Sequence, residues 1–276
     1  MPVAASGRIL QAVRMSKKER RDDPRFWAGV PLTLNGAGVP DDWEPEMPKV
    51  TPVDDPTPLR WLSERLRPGS WPYRVDWLLP SGFPAYARVL HPAGDEEGRP
   101  VVPWARVAAW SGRLLEATSN FFDIGTREDG ARWGSTPEDG ELNDDLLEAL
   151  VEILLPATTT PDATWFCIWP GRAGFHLVWP DAPVFDVGPS GSGADAYLIP
   201  APVRAVLGDL PASPSWWWPE DRAWVVATQI DGYSTYVAGS TDVIGAILAD
   251  ERLEAFPARP DDPWDGTYEG QTVWWD

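Results

Sequence analysis

Prolines set the limits of almost every element this chain can form. A proline holds φ near about −65° and has no amide hydrogen, so it opens helices, stops them and stays out of central strands. The run Pro40-Asp41-Asp42-Trp43-Glu44-Pro45-Glu46-Met47-Pro48, followed by Pro52, Pro56 and Pro58, defeats helix and central strand together. Residues 1–57 are therefore expected to form a poorly ordered or strap-like segment, with Trp27 and Trp43 as anchors that offset lost chain entropy. Met15 is an alternative start.

From Pro58 the pattern changes. Leu59, Leu62 and Leu66 share one face at helical spacing until Pro68-Gly69. Residues 86–91 alternate and close at Pro92, as a strand does, and 103–110 read as a helix with Pro103 in its first turn. Leu142, Leu146, Leu150, Ile153 and Leu154 repeat at three and four, with Asp144, Asp145 and Glu148 at the electropositive end, and Pro156 stops the helix. Residues 164–169, 175–179 and 196–199 read as strands, the first two joined by hairpin-length Pro170-Gly171-Arg172-Ala173-Gly174. Residues 224–230 and 233–238 pair across Asp231-Gly232, and 242–253 form an amphipathic helix capped by Thr241 or Asp242. The expected fold is α+β: one main domain over 58–256, a mostly antiparallel sheet covered by helices, a Pro-rich segment before it, and an exposed acidic Trp-containing tail over 257–276.

Charge narrows the function. Lys and Arg number 23 against 42 Asp and Glu, a net −19, whereas nucleic-acid binding needs a basic face. No nucleic acid is expected. No apolar stretch is long enough to span a bilayer, and the N-terminal charges lack a following signal-peptide core, so neither membrane nor export is expected. Cys167 is the only cysteine, which excludes an intrachain disulfide and a multi-cysteine metal site and suits a reducing cytoplasm.

The composition offers few chemical groups. His91 and His176 are the only histidines and lie on expected strands without metal-ligand spacing. Cys167 sits mid-strand between Phe166 and Ile168, as an inert buried thiol does. The glycines at 188–193 lack the lysine and the helix of a phosphate loop. No cofactor and no metal are expected. Tryptophan stands out, with 18 indoles, each a large buried area carrying an N–H donor.

Trp216-Trp217-Trp218-Pro219-Glu220-Asp221-Arg222-Ala223-Trp224 is the most distinctive stretch. Arg222 can stack on an indole while forking onto a carboxylate, so Trp218, Asp221, Arg222 and Trp224 are expected to form one contact cluster, and with Asp231 they are the candidate binding residues. The cluster reads either as a ligand pocket or interface anchor, or as a structural knot at the strand entry. Residues 213–231, Ser234-Thr235-Tyr236-Val237-Ala238-Gly239-Ser240 and Tyr86-Ala87-Arg88-Val89-Leu90-His91-Pro92 resemble a group of uncharacterised actinobacterial proteins. That resemblance implies no activity and transfers no catalytic residue. Strands with aromatic and acidic decoration followed by an amphipathic helix are also similar to the SUKH-type immunity superfamily, which implies binding to toxins or other proteins.

Two functions follow. The first is a non-enzymatic cytoplasmic protein whose acidic, Trp-bearing surface binds a basic protein partner, immunity to a toxin being one version. The alternative is a small-molecule hydrolase or a sugar or nucleotide binder, with a Trp-lined pocket and carboxylates from Glu220, Asp221 and Asp231.

Overall fold

The computed structural model describes residues 49–67, 74–171, 179, 181–188 and 194–264. The expected strand at 175–179 falls outside them except for Trp179, as do His176 and the glycine loop 189–193. In chain order the elements are α1 (Thr57–Ser63), α2 (Val75–Leu78), β1 (Ala85–Leu90), β2 (Ala93–Gly94), β3 (Pro100–Val102), α3 (Trp104–Ser111), α4 (Phe121–Ile124) and α5 (Asp144–Leu154). There follow β4 (Thr164–Ile168), β5 (Phe185–Asp186), β6 (Asp195–Ala201), β7 (Trp216–Pro219), β8 (Val225–Thr228), β9 (Ser234–Gly239), α6 (Thr241–Ala249) and β10 (Ala255–Ala258). Eight strands form one antiparallel sheet in the order β10-β1-β9-β8-β7-β4-β6-β5, and β2 with β3 make a separate ribbon. The fold is thus the expected α+β class.

Side chains on a strand alternate between its faces, and both faces of this sheet are covered. On one, Ala87, Val89, Phe166, Ile168, Ile199, Trp217, Val226 and Val237 pack under α5 and α6. On the other, Tyr86, Cys167, Leu198, Trp216, Trp218, Val225, Ala227, Tyr236 and Ala238 meet Leu59, Leu62 and Leu66 from the α1 region and Val75, Trp77 and Leu78 from α2. Trp216, Trp217 and Trp218 therefore fill both layers in turn. A satellite cluster of Leu90, Ala93, Val102, Trp104, Val107, Phe121 and Ile124 carries α3 and α4. At its seam with the sheet the buried Arg88 donates to Ser234 Oγ and to the carbonyls of Ala117 and Ser119, and stacks on Trp104 at 5.2 Å.

Caps shift several boundaries. Asn143 accepts from Leu146 N–H at 3.0 Å, which starts α5 at Asp144 rather than at 142. Ser240 accepts from Val243 N–H at 3.2 Å, so it caps α6 in place of Thr241 or Asp242, and the helix ends at Ala249 although Leu253 still packs in the same core. Pro103 is the N-cap of α3, and Glu254 accepts from the amides of Trp104 and Ala105 in its first turn.

Three expectations are corrected. The hairpin pairing of 164–169 with 175–179 has no place along Thr164–Ile168, because β6 and β7 occupy both edges of β4. Trp216–Pro219, read only as the approach to a strand, is itself a strand. The chain from 257 to 264 is not an exposed tail. Pro257 sits on the edge strand β10, the carbonyls of Pro260 and Asp262 accept from Asp76 and Val75, and Trp264 is buried. At the other end, Val50 and Val53 pack against opposite faces of the sheet, so residues 49–56 round its edge beside β6, where Val53 N–H meets the Leu198 carbonyl.

Candidate functional site

The connection from β7 to β8, residues 219–224, is pinned at each residue that bears chemistry. Glu220 N–H donates to the Ala163 carbonyl at 2.8 Å, and its carboxylate accepts from the Trp165 indole. Asp221 takes Thr158 Oγ at 2.9 Å on one oxygen and Thr159 N–H and Oγ at 2.6 and 2.7 Å on the other, while its amide donates to Thr160 Oγ. Partial burial pushes the Asp221 pKa up, but the bonds from Thr159, Thr158 and Ala223 outweigh it and hold the carboxyl below the usual carboxylate range. Arg222 N–H closes the turn onto the Pro219 carbonyl at 2.8 Å. Arg222 has φ +59°, the only left-handed non-glycine backbone among the described residues, a conformation that costs an L-residue about 1–2 kcal/mol.

This strained backbone places the exposed Arg222 guanidinium 5.0 Å from the centre of the Trp61 ring. The same indole carries Arg65 at 5.6 Å, lies 6.3 Å from Trp218 and meets Phe83 edge-on at 6.4 Å. Trp218 is fully buried beneath it and pairs across the sheet with half-buried Trp165. The surface at this end is therefore an aromatic patch of Trp61, Trp165 and Phe83 flanked by Arg65 and Arg222. Trp61 is a site residue absent from the expected set, and its sequence signal is that it lies off the Leu59, Leu62 and Leu66 stripe of its own segment.

The expected single cluster of Trp218, Asp221, Arg222 and Trp224 is divided. Arg222 reaches Trp218 only through Trp61, and Asp221 binds threonines instead of Arg222. Trp224 turns to the opposite face of the sheet, where it meets Trp217 edge-on at 5.0 Å and donates its indole N–H to the Leu154 carbonyl at 3.0 Å. Asp231 stands beyond the far end of β8, exposed, near Asp139. Burial raises the Asp139 pKa, a hydrogen bond from Tyr233 lowers it, and the charge of Asp231 raises it.

Other reactive groups are enclosed. Burial pushes the Cys167 thiol far up, consistent with an inert thiol. The buried His91 ring has Nδ1 3.1 Å from the Glu138 carbonyl and Nε2 3.0 Å from Thr235 Oγ, and Thr235 in turn meets Thr228 at 2.8 Å. A void of about 10 Å³ beside Thr228, Thr235 and Trp217 holds at most one water. A larger groove, about 340 Å³, lies between Leu155, Pro156, Pro161, Asp162, Pro202 and Arg204. Among the described residues no three His, Cys, Asp or Glu side chains converge as a metal site, and no helix is long and apolar enough to cross a membrane. Neither a protein-family model, nor a curated protein, nor a solved structure matches this chain.

Proposed function

We propose that this is a non-enzymatic protein-binding protein of the cytoplasm, docking a basic partner through its acidic, Trp-bearing surface, with toxin neutralisation as the concrete immunity-like form. The observation that carries the reading of a docking surface is the Arg222 turn, where Arg222 and Arg65 stack on Trp61 as contact groups, while the attraction to a basic partner comes from the acidic balance of the whole chain. A strained residue survives where the surroundings over-determine it, and here Glu220 and Asp221 lock the turn while Arg222 is displayed over Trp61. Trp and Arg are the residue types that dominate interface hot spots. The net −19 supplies the field that speeds encounter with a cationic partner. A lone buried thiol suits a reducing compartment. The hydrolase alternative has less support, because Glu220 and Asp221 are engaged by Trp165 and the threonines, and Asp231 stands at the other end of β8.

Arg222→Gly separates binding from folding. Glycine releases the left-handed strain of about 1–2 kcal/mol and forfeits one exposed cation–π contact of about 0.5–1 kcal/mol, so the melting temperature is expected to hold or rise while partner capture falls at least tenfold. Capture by the wild type should also weaken between 50 and 500 mM salt, since surface charges are screened beyond roughly 8 Å at physiological ionic strength. A melting temperature that drops with capture intact would make the turn purely structural and overturn this reading.

Acid titration gives an independent check on the turn. The Asp221 carboxyl is held below its unfolded value of about 3.9. Its stabilisation is therefore fully present above that pH and is lost as pH falls through the lower folded value. Asp221→Asn should lower the unfolding free energy at pH 7 by about 1–2 kcal/mol, discounted for exposure. In urea titrations the gap between variant and wild type should narrow as pH falls below the unfolded carboxylate value of about 3.9.

A further inference from the structure

Two guanidinium groups share one indole beside the β7–β8 turn. Arg65 and Arg222 both lie within 5.6 Å of the centre of the Trp61 ring, and both are exposed. Like charges gathered at one ring repel each other, a cost that the attraction of each for the π face offsets in part. Neither guanidinium forms an ion pair with a described carboxylate. Arg65 donates a hydrogen bond to the Trp61 carbonyl at 3.1 Å, which fixes it over the ring without neutralising it.

The carboxylates nearest in the chain are turned elsewhere. Glu220 is held by the Trp165 indole and Asp221 by Thr158 and Thr159. Glu64, next to Arg65, pairs with neither arginine. The turn thus engages both anions that precede Arg222 and presents the cation. Around it Trp61, Phe83 and Trp165 leave half-buried ring surface. On a chain of net −19 the patch is a local reversal of sign joined to an apolar surface.

We infer that the Arg222 patch takes an acidic, apolar segment of the partner protein, with a carboxylate against Arg65 and Arg222 and an adjacent apolar side chain on the aromatic surface. The inference rests on the docking reading above and names the chemistry of its contact. A partner that is basic as a whole is steered by the field of the whole chain, whereas register at the contact is set by the charges that meet there. A carboxylate at this place gains charge-assisted hydrogen bonds from the planar guanidinium fork and lowers the repulsion between the two cations. A lysine would add a third cation to the same ring.

Titration of the full-length chain with blocked hexapeptides tests it, read by NMR at the Trp61 indole N–H. One peptide alternates leucine with glutamate, one leucine with lysine and one leucine with glutamine. The glutamate peptide is expected to shift the signal saturably, with an affinity about tenfold above that of the other two. Arg65→Gln and Arg222→Gln should each weaken it about threefold, as loss of one exposed charge contact does. The double change Arg65→Glu with Arg222→Glu should make the lysine peptide the tighter binder, a reversal that misfolding cannot imitate. Circular dichroism melts matching the wild type confirm that the variants fold. Equal shifts from all three peptides, or none from any, overturn the inference, as does a glutamate preference that survives the double reversal. The docking reading keeps its own test, because loss of partner capture in Arg222→Gly does not depend on the sign of the charge that meets the patch.

Discussion

Trp224→Ala is expected to lower the unfolding free energy by about 4–5 kcal/mol, a large fraction of what holds a domain together. The indole is fully buried, meets Trp217 edge-on at 5.0 Å, and donates to the Leu154 carbonyl at the last residue of α5. Truncation opens a cavity against Trp217 and leaves a helix-terminal carbonyl without its donor, two separate costs. Trp224→Phe keeps most of the volume and loses the bond, so it should cost about 1–3 kcal/mol. Urea unfolding of both variants with an unchanged slope measures the two terms. Similar losses for Phe and Ala would mean that the hydrogen bond, rather than packing, fixes α5 to the sheet.

That result bears on how sequence proximity misleads. Trp218 and Trp224 are six residues apart and are expected together, yet β7 and β8 pair as neighbours in a register that puts the two indoles on opposite faces of the sheet. Strand alternation within Trp216–Pro219 sends Trp216 and Trp218 one way and Trp217 the other, and Trp224 joins Trp217. A continuous apolar run marks a strand covered on both faces, and here it conceals which neighbours share a layer. Asp221 and Arg222 were expected to bind each other because they are adjacent and opposite in charge. Threonines 158–160, at the end of α5's following turn, compete successfully for the carboxylate, and nothing near Asp221 in the sequence marks them.

Patterns with a strong period or a clear stop are legible. α5, β4, β9 and the β8–β9 turn fall within one or two residues of their expected limits, because leucine spacing, Pro156 and Asp231-Gly232 act locally. β10 was missed because Pro257 weighs against a strand. An edge strand tolerates proline on the side that needs no donor, and only the pairing of β10 with β1 reveals that it is one. The functional reading is harder still. The Arg222 patch joins α1, β4 and the β7–β8 turn, segments more than 100 residues apart at the widest, and long-range placement of that kind leaves no local trace.

Gly140→Ala is expected to cost about 3 kcal/mol or more, although one methyl group is all it adds. Gly140 has φ +62°, where alanine is strained by about 1–2 kcal/mol. A Cβ there would lie 2.5–2.8 Å from the Ile230 backbone, which is not a flexible side chain that can swing away. Overpacking of this kind adds about 1–3 kcal/mol. The Gly140 N–H donates to the Gly232 carbonyl at 2.9 Å, so displacement also pulls the 138–141 loop from the β8–β9 turn. Loss should extend to the Glu138 carbonyl that lies 3.1 Å from His91 Nδ1 and to the bond from Ser213 Oγ to Glu141. Thermal unfolding of Gly140→Ala beside Gly130→Ala is the informative comparison, because Gly130 also has a positive φ, +83°, but open space where its Cβ would be. Gly130→Ala should lose only the backbone strain. If both variants lose the same amount, the close approach to Ile230 contributes nothing and the loop is held to the turn by its hydrogen bonds alone.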